Sequence, residues 1–177
     1  MIVLVDEQDN PTGVMEKMEV HRKALLHRAF SVFLFNSKGE MLLQRRALSK
    51  YHSGGLWTNT CCSHPYPGET PQEAGKRRMK EELGFEAEVN PAFSFIYKAA
   101  LDNELTEYEF DHVLIGEYDG DVYPNEDEVG DYCYVSMDVL KENLQRHPMK
   151  YTAWFKIAFP MLEAYLEKNK LLTHAER

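Results

Sequence analysis

The sequence predicts an α/β fold with helices packed on a β-sheet. Three observations predict it: short β-rich runs bounded by turn residues, a strongly capped charged helix between them, and an apolar stripe at helical spacing near the end of the chain. A chain of 177 residues with 44% hydrophobic content suits one domain, here residues 1–177, with a sizeable core. The net charge of −9 argues against general binding to nucleic acid or to an anionic membrane, which both need basic surface. Any anionic substrate must therefore meet a local basic pocket. Three irregularly spaced cysteines make no disulfide framework, and nothing resembles a signal peptide or a membrane-spanning run. The expected location is the cytoplasm, with free thiols.

Ile2-Val3-Leu4-Val5 is a short apolar run closed by turn residues from Gln8 to Gly13, with Val14–Lys17 pairing back as a second strand. Phe30–Phe35 is rich in β-formers, and Asn36-Ser37-Lys38-Gly39 turns it into Met41–Arg46 as a hairpin. Trp57–His64 is the next strand. Alternation there puts Cys62 and His64 on one face and Cys61 and Ser63 on the other, so only one of the adjacent cysteines can join His64. Cys61 and Cys133 fit the usual role of a small buried hydrophobe, whereas Cys62 is the candidate reactive thiol.

Thr70 caps a helix over Pro71–Leu83, with Pro71 at its first position, Glu73 as capping-box partner and Gly84 as the left-handed exit. Ala74, Arg78, Glu81 and Glu82 share one stripe of it, ordinarily a solvated face with an ion pair. Phe93–Ala100 and Glu104–Glu117 form two strands about an Asp102-Asn103 turn, so that Glu107 and Glu109 face the same way. Such a face is ordinarily exposed. Asp119–Asp131 is an acidic surface loop, and Tyr132–Ser136 is a strand followed by a helix that Ser136 caps. Trp154, Ile157, Ala158, Met161, Leu162 and Tyr165 make a core-facing helical stripe, with Pro160 as a kink or the true start and 168–177 as a loose tail.

Two sets of residues carry a family resemblance. Glu69, Arg77, Met79, Glu81, Glu82, Gly84 and Phe85 match the Nudix box, with Ser63 in place of its first Gly and Arg78 in place of the Glu after Arg. Upstream, Trp57-Thr58-Asn59, Cys62, His64-Pro65 and the preceding Arg45-Arg46-Ala47-Leu48-Ser49-Lys50 resemble type I isopentenyl-diphosphate delta-isomerases, which are Nudix-fold enzymes. The likeness runs from Asp6 to about Phe155. It implies an α/β/α sandwich on a mixed sheet and an isomerase that converts isopentenyl to dimethylallyl diphosphate through a tertiary carbocation, for isoprenoid biosynthesis.

The resemblance also implies a metal site of His21, His27, His64, Glu107 and Glu109. This mixed nitrogen and oxygen set suits Mn²⁺, Mg²⁺ or Zn²⁺. Five residues separate His21 from His27, and a straight helix would point them apart, so a bend is expected between them. Lys17, Arg46, Lys50, Ser63 and Arg78 match positions that contact the diphosphate, and a substrate-borne Mg²⁺ is expected on Glu82 and the backbone carbonyl of Cys62. Cys62 and Glu109 suit the two sides of the proton transfer, with Tyr97 near the donor and Trp154 offering a π face to the cation. His52, His147 and His174 are taken as ordinary surface or core residues. A Nudix diphosphate hydrolase and a noncatalytic module sensing metal or diphosphate are the alternatives. Arg78 and Cys62 weigh against the first, and retention of every reactive position weighs against the second.

Overall fold

Strand β3 (His27–Phe35) is the spine of the molecule, because its side chains supply both cores. The structure is a computed structural model that describes residues 1–175, with side chains to Asn169. Phe30, Val32 and Leu34 point to one face of the sheet, where they meet Ala74, Met79 and Leu83 of helix α2 (Pro71–Leu83). Phe33 points to the other face and joins Phe155, Ala158, Phe159 and Leu162 of helix α4 (Ala153–Ala175). The layers are therefore helix, sheet and helix, as expected. Gly75 lets α2 lie close on the sheet, since a Cβ there would stand 3.3 Å from Val32 Cγ2 and 3.4 Å from Leu114 Cδ1.

The sheet is mixed because β3 pairs in parallel with β8 (Thr106–Glu117), in a register that sets His27 opposite Glu109 and Phe35 opposite Glu117. Strand β7 (Val89–Ala100) flanks β8 in antiparallel fashion. Strands β1 (Ile2–Val5) and β2 (Pro11–Met15) form the expected N-terminal hairpin, although β2 starts earlier than expected and ends before Lys17. Lys17 instead opens helix α1 (Lys17–Lys23), whose N-cap is Glu16.

The hairpin expected from β3 and β4 (Met41–Arg46) holds only at its turn, where Phe35 pairs with Met41. Beyond it β4 leaves β3 and pairs with β9 (Val129–Val135) and β5 (Trp57–Thr58). The strand expected over 57–64 is broken in two, β5 and β6 (Cys61–Ser63), because Asn59 and Thr60 turn inward. Asn59 Nδ2 donates to the Val32 and Cys61 carbonyls at 3.0 Å each, and Thr60 Oγ1 donates to the Leu42 carbonyl at 2.7 Å.

Helix α2 has the predicted bounds, the Thr70–Glu73 capping box and a left-handed Gly84. Ser136 caps α3 (Met137–Arg146) through the Val139 N–H. In α4 the buried side is Trp154, Phe155, Ala158, Phe159 and Leu162, while Met161 is exposed, so the core stripe lies one residue round from the expected one. Pro160 sits inside this helix and does not start it. Of the expected loose tail, residues 168–175 continue helix α4, and 176–177 lie outside the described residues. No helix among the described residues is long and apolar enough to cross a membrane.

Candidate active site and metal centre

Strands β6 and β8 and helices α1 and α2 contribute residues to the wall of a cavity of about 300 Å³. Glu109 is its hub. Strand alternation buries Glu107, Glu109 and Asp111 together, against the ordinary expectation of an exposed acidic face. His27, opposite Glu109 in the parallel register, puts Nε2 3.2 Å from Glu109 Oε2, and His64 Nε2 lies 2.9 Å from the same oxygen. Tyr97, paired with Glu109 across β7 and β8, donates its hydroxyl to that carboxylate and also lies 3.3 Å from both oxygens of Glu107. Tyr97, expected near the proton donor, is bonded to the two carboxylates.

The bend required between His21 and His27 is Ala24. Helix α1 stops there in a left-handed conformation (φ 52°), leaving His21 on its last turn and His27 on the first residue of β3. The imidazole rings of His21, His27 and His64 then pack with centroids 4.9–5.6 Å apart. One ligand-type atom from each of these histidines and from Glu109 lies within 4.8 Å of the others. Glu107 stands outside this group.

The donor set fits a divalent cation on three counts. His21 Nδ1 and His27 Nδ1 face the backbone carbonyls of Lys17 (2.7 Å) and Leu25 (2.8 Å), which can only accept, so the proton sits on Nδ1. When neutral, each ring thus turns an Nε2 lone pair inward. Second, His21 Nε2 is buried with no hydrogen-bond partner among the described residues. Third, burial lowers the pKa of His21 and brings His64 down to about 4, which keeps these two imidazoles neutral as metal ligands require.

The two carboxylates are driven apart. Burial would raise Glu109, but hydrogen bonds with His27 and His64 hold it below the ordinary carboxylate range. Burial and then the neighbouring charge of Glu109 push Glu107 well above that range. Asp111, buried and hydrogen-bonded at 2.7 Å by the Ser31 hydroxyl, is raised to about 8 by burial and then by Glu109. One anion and neighbouring neutral acids can therefore share the space at neutral pH.

Cys62 and Cys61 separate as the alternation predicts. Cys62 lines the cavity with Ser63 and His64, while Cys61 is fully buried in the core beneath α2. Burial pushes the Cys62 thiol well above its ordinary pKa, with Arg46 acting the other way. Trp154 joins the wall from the start of α4, with the Arg46 guanidinium 5.2 Å above its ring and its own Nε1 buried without a partner among the described residues.

The cavity has a basic rim, to which Arg77 also belongs. Lys17, Arg46, Lys50, Ser63 and Arg78 all line the cavity. Burial lowers the Lys17 pKa, and repulsion from Lys50 and Arg78 adds to it. Glu82 faces them. Its Oε1 accepts from Arg78 Nη2 at 2.7 Å and its Oε2 from Gln44 Nε2 at 3.0 Å, so the Arg78–Glu82 pair belongs to the site and not to a solvated face. The loop after β8 docks on the end of α2 through Tyr123 N–H to the Leu83 carbonyl and Asn125 N–H to the Glu82 carbonyl, both 2.8 Å. That docking brings in Glu128, 3.4 Å from Arg78 and paired with Lys50.

His52, expected to be an ordinary residue, is part of the wall. It is buried beside the cavity, perpendicular to the Trp154 ring at 5.6 Å, 4.3 Å from Tyr51 and 6.1 Å from His21 between centroids. Its carbonyl accepts from Arg46 Nε and Nη2 at 3.3 and 3.1 Å. The available signal was position: Tyr51 and His52 follow Lys50 directly and precede a Ser-Gly-Gly turn that must fold the chain back.

A basic cavity beside a Nudix-box helix on a mixed sandwich defines a class, and comparison agrees. The sequence profile of the NUDIX domain matches residues 25–155, and the chain belongs to the Nudix family. The fold matches the DR0079 protein of Deinococcus radiodurans with a TM-score of 0.68 and 23% identity, covering 82% of this chain and 89% of that one. It also matches a MutT protein of Methanosarcina mazei with a TM-score of 0.65 and 22% identity, covering 82% and 96%. Curated relatives narrow the class. The isopentenyl-diphosphate Delta-isomerase of Pectobacterium atrosepticum is 48% identical over 96% of this chain and 94% of its own, and isopentenyl-diphosphate Delta-isomerase 2 of Photorhabdus laumondii is 51% identical over 88% of each. Within the Nudix family, this chain groups with the type I isopentenyl-diphosphate delta-isomerases.

Proposed function

We infer that this protein isomerises isopentenyl diphosphate to dimethylallyl diphosphate, for isoprenoid biosynthesis. The observation that carries the reading is one cavity holding a thiol, a tyrosine-bridged carboxylate pair, an indole face and a basic rim. Lys17, Arg46, Lys50, Ser63 and Arg78 bind the diphosphate, and the anchored substrate gives the reaction its orientation. Cys62, kept as a thiol by burial, gives its proton to the terminal alkene carbon. The positive charge then rests on the tertiary carbon, against the π face of Trp154. Glu109 takes a proton from the neighbouring CH₂, and the double bond forms there. One proton enters and one leaves, with no electrons transferred. Tyr97 holds the Glu109 carboxylate in place through its hydroxyl.

His21, His27, His64 and Glu109 would hold the resident ion, which we assign to Mn²⁺, Mg²⁺ or Zn²⁺, with Glu107 beside it. Bound there, the cation supplies electrostatic stabilisation of the Glu109 carboxylate. Glu82 and the backbone carbonyl of Cys62 would hold a Mg²⁺ that arrives with the diphosphate. The unpaired thiols of Cys61, Cys62 and Cys133 support a cytoplasmic location.

Incubation of the purified protein with isopentenyl diphosphate and Mg²⁺, followed by proton NMR, tests the reading. Appearance of the dimethylallyl methyl signals is expected. Release of inorganic phosphate with no isomer would replace it with hydrolysis.

A further inference from the structure

The segment 47–56 leaves the sheet between β4 and β5 and returns to where it began. Arg46 N–H donates to the Leu56 carbonyl and Gly55 N–H to the Arg46 carbonyl, both at 2.9 Å, so the loop is pinched at its base. At its far side Lys50, Tyr51 and His52 line the cavity. The Arg46 guanidinium reaches the His52 carbonyl from below, and Lys50 pairs with Glu128.

A further grip comes from the tip of the β7–β8 hairpin. Ser53 N–H donates to Asp102 Oδ1 at 3.0 Å and Oδ2 at 3.3 Å, and Asn103 Nδ2 donates to the Tyr51 carbonyl at 3.3 Å. The sequence gives no hint of this contact, since the partners lie about fifty positions apart. Backbone strain is concentrated on both sides of it. Ser53 (φ 53°), Asn103 (58°) and Glu104 (57°) are three of the five described non-glycine residues in the left-handed region. Asn103 and Glu104 form the centre of a tight turn closed by Leu105 N–H on the Asp102 carbonyl at 3.3 Å, a position where glycine would carry no penalty. Such conformations persist where surrounding contacts hold them, and they gather at functional sites. The same hairpin carries Tyr97, Glu107 and Glu109.

We propose that Asp102 and Asn103 are positioning residues for the isomerase reaction, on the functional reading above. They latch the 47–56 loop over the cavity, so that Lys50 meets the diphosphate while Tyr51 and His52 close the hydrocarbon end against water. The latch links the acid-bearing hairpin to the diphosphate-binding loop, and substrate is gripped where the proton acceptor stands.

Asp102→Ala, Asp102→Asn and Asn103→Gly test it. Asp102→Ala removes the acceptor of one charge-assisted hydrogen bond, and its KM for isopentenyl diphosphate and its Kd for inorganic pyrophosphate should each rise roughly tenfold. Exchange of the Ser53 amide, followed by NMR, should speed up while protection in β3 and β8 stays as in wild type. Asp102→Asn keeps an oxygen for Ser53 and should restore most of the affinity. Asn103→Gly loses the bond to Tyr51 without straining the turn, so it should weaken pyrophosphate binding with no fall in melting temperature. Wild-type KM and pyrophosphate affinity in both Asp102→Ala and Asn103→Gly would overturn the latch. So would equal impairment of the Ala and Asn variants together with a lower melting temperature, because that marks a merely structural contact. A wild-type protein that binds pyrophosphate but makes no isomer would sink the functional reading and leave the loop measurements to stand alone.

Discussion

At Cys61 and Cys62 one peptide bond separates core from cavity, and substitution should separate their effects. Cys62→Ala is expected to lose about two to four orders of magnitude in turnover, the range for removing a proton-transferring group. Cys61→Ala should turn over normally and lose on the order of 1 kcal/mol of stability, since it vacates a fully packed site beneath α2. NMR turnover assays and urea melts on the two variants read both quantities. A Cys62→Ala enzyme with normal turnover would show the reactive face to be wrongly assigned. Trp154 asks a related question, because it is 3% exposed and could matter only as packing. Trp154→Phe should keep partial activity and Trp154→Ala almost none, as a smaller π face still meets the cation and a methyl does not. Activity that falls only with the folded fraction, followed by circular dichroism, would make Trp154 a packing residue.

Helix α2 shows which elements are legible in a sequence. Its bounds follow from Thr70, Pro71, Glu73 and Gly84, because caps are local and their hydrogen bonds join residues three or four apart. Thr70→Ala should therefore cost about 1 kcal/mol in urea melts and leave KM unchanged. The Nudix-box pair Glu69–Arg77 adds a pH-dependent contribution. Arg77 Nε and Nη2 donate to Glu69 at 2.8 and 2.9 Å and lower its pKa. A depressed folded-state pKa contributes stability above the unfolded value, near 4.3, and loses it as pH falls through the folded one. The urea midpoints of wild type and Glu69→Gln should differ at pH 6, and the difference should shrink as pH falls from the unfolded value through the lower folded one. Long-range features were less visible. The broken strand at Asn59 and Thr60 depends on carbonyls of β3 and β4, and the wall position of His52 depends on the β7–β8 tip, neither of which has a local signature. The metal set was readable only through family resemblance, since a histidine at the end of a helix and another at the start of a strand share no periodicity.

For the molecule as a whole, solvent protons should pass through the side chains. In deuterated water the enzyme should place deuterium in the methyl and neighbouring positions of its substrate, and an unlabelled product would defeat proton transfer by Cys62 and Glu109. Metal removal is expected to act on stability as well as on turnover. Chelation should lower the melting temperature, and a divalent ion at a hundredfold excess over its Kd should return about 2.7 kcal/mol. His21→Asn should blunt that response, because it replaces the imidazole whose Nε2 is without a partner. The parallel pairing of β3 with β8 has a further consequence, for the order of events in synthesis. His27 waits for Glu109, 82 positions later in the chain. Antiparallel neighbours such as β1 and β2 can join as soon as they leave the ribosome, whereas the spine strand must remain without its parallel partner until β8 emerges. A nascent chain holding His21, His27 and His64 but not yet Glu109 has the imidazoles without the hub that gathers them. Ion capture is thus a late event in the life of each molecule, and a chain stalled before residue 109 should elute from the ribosome without the high-affinity metal site.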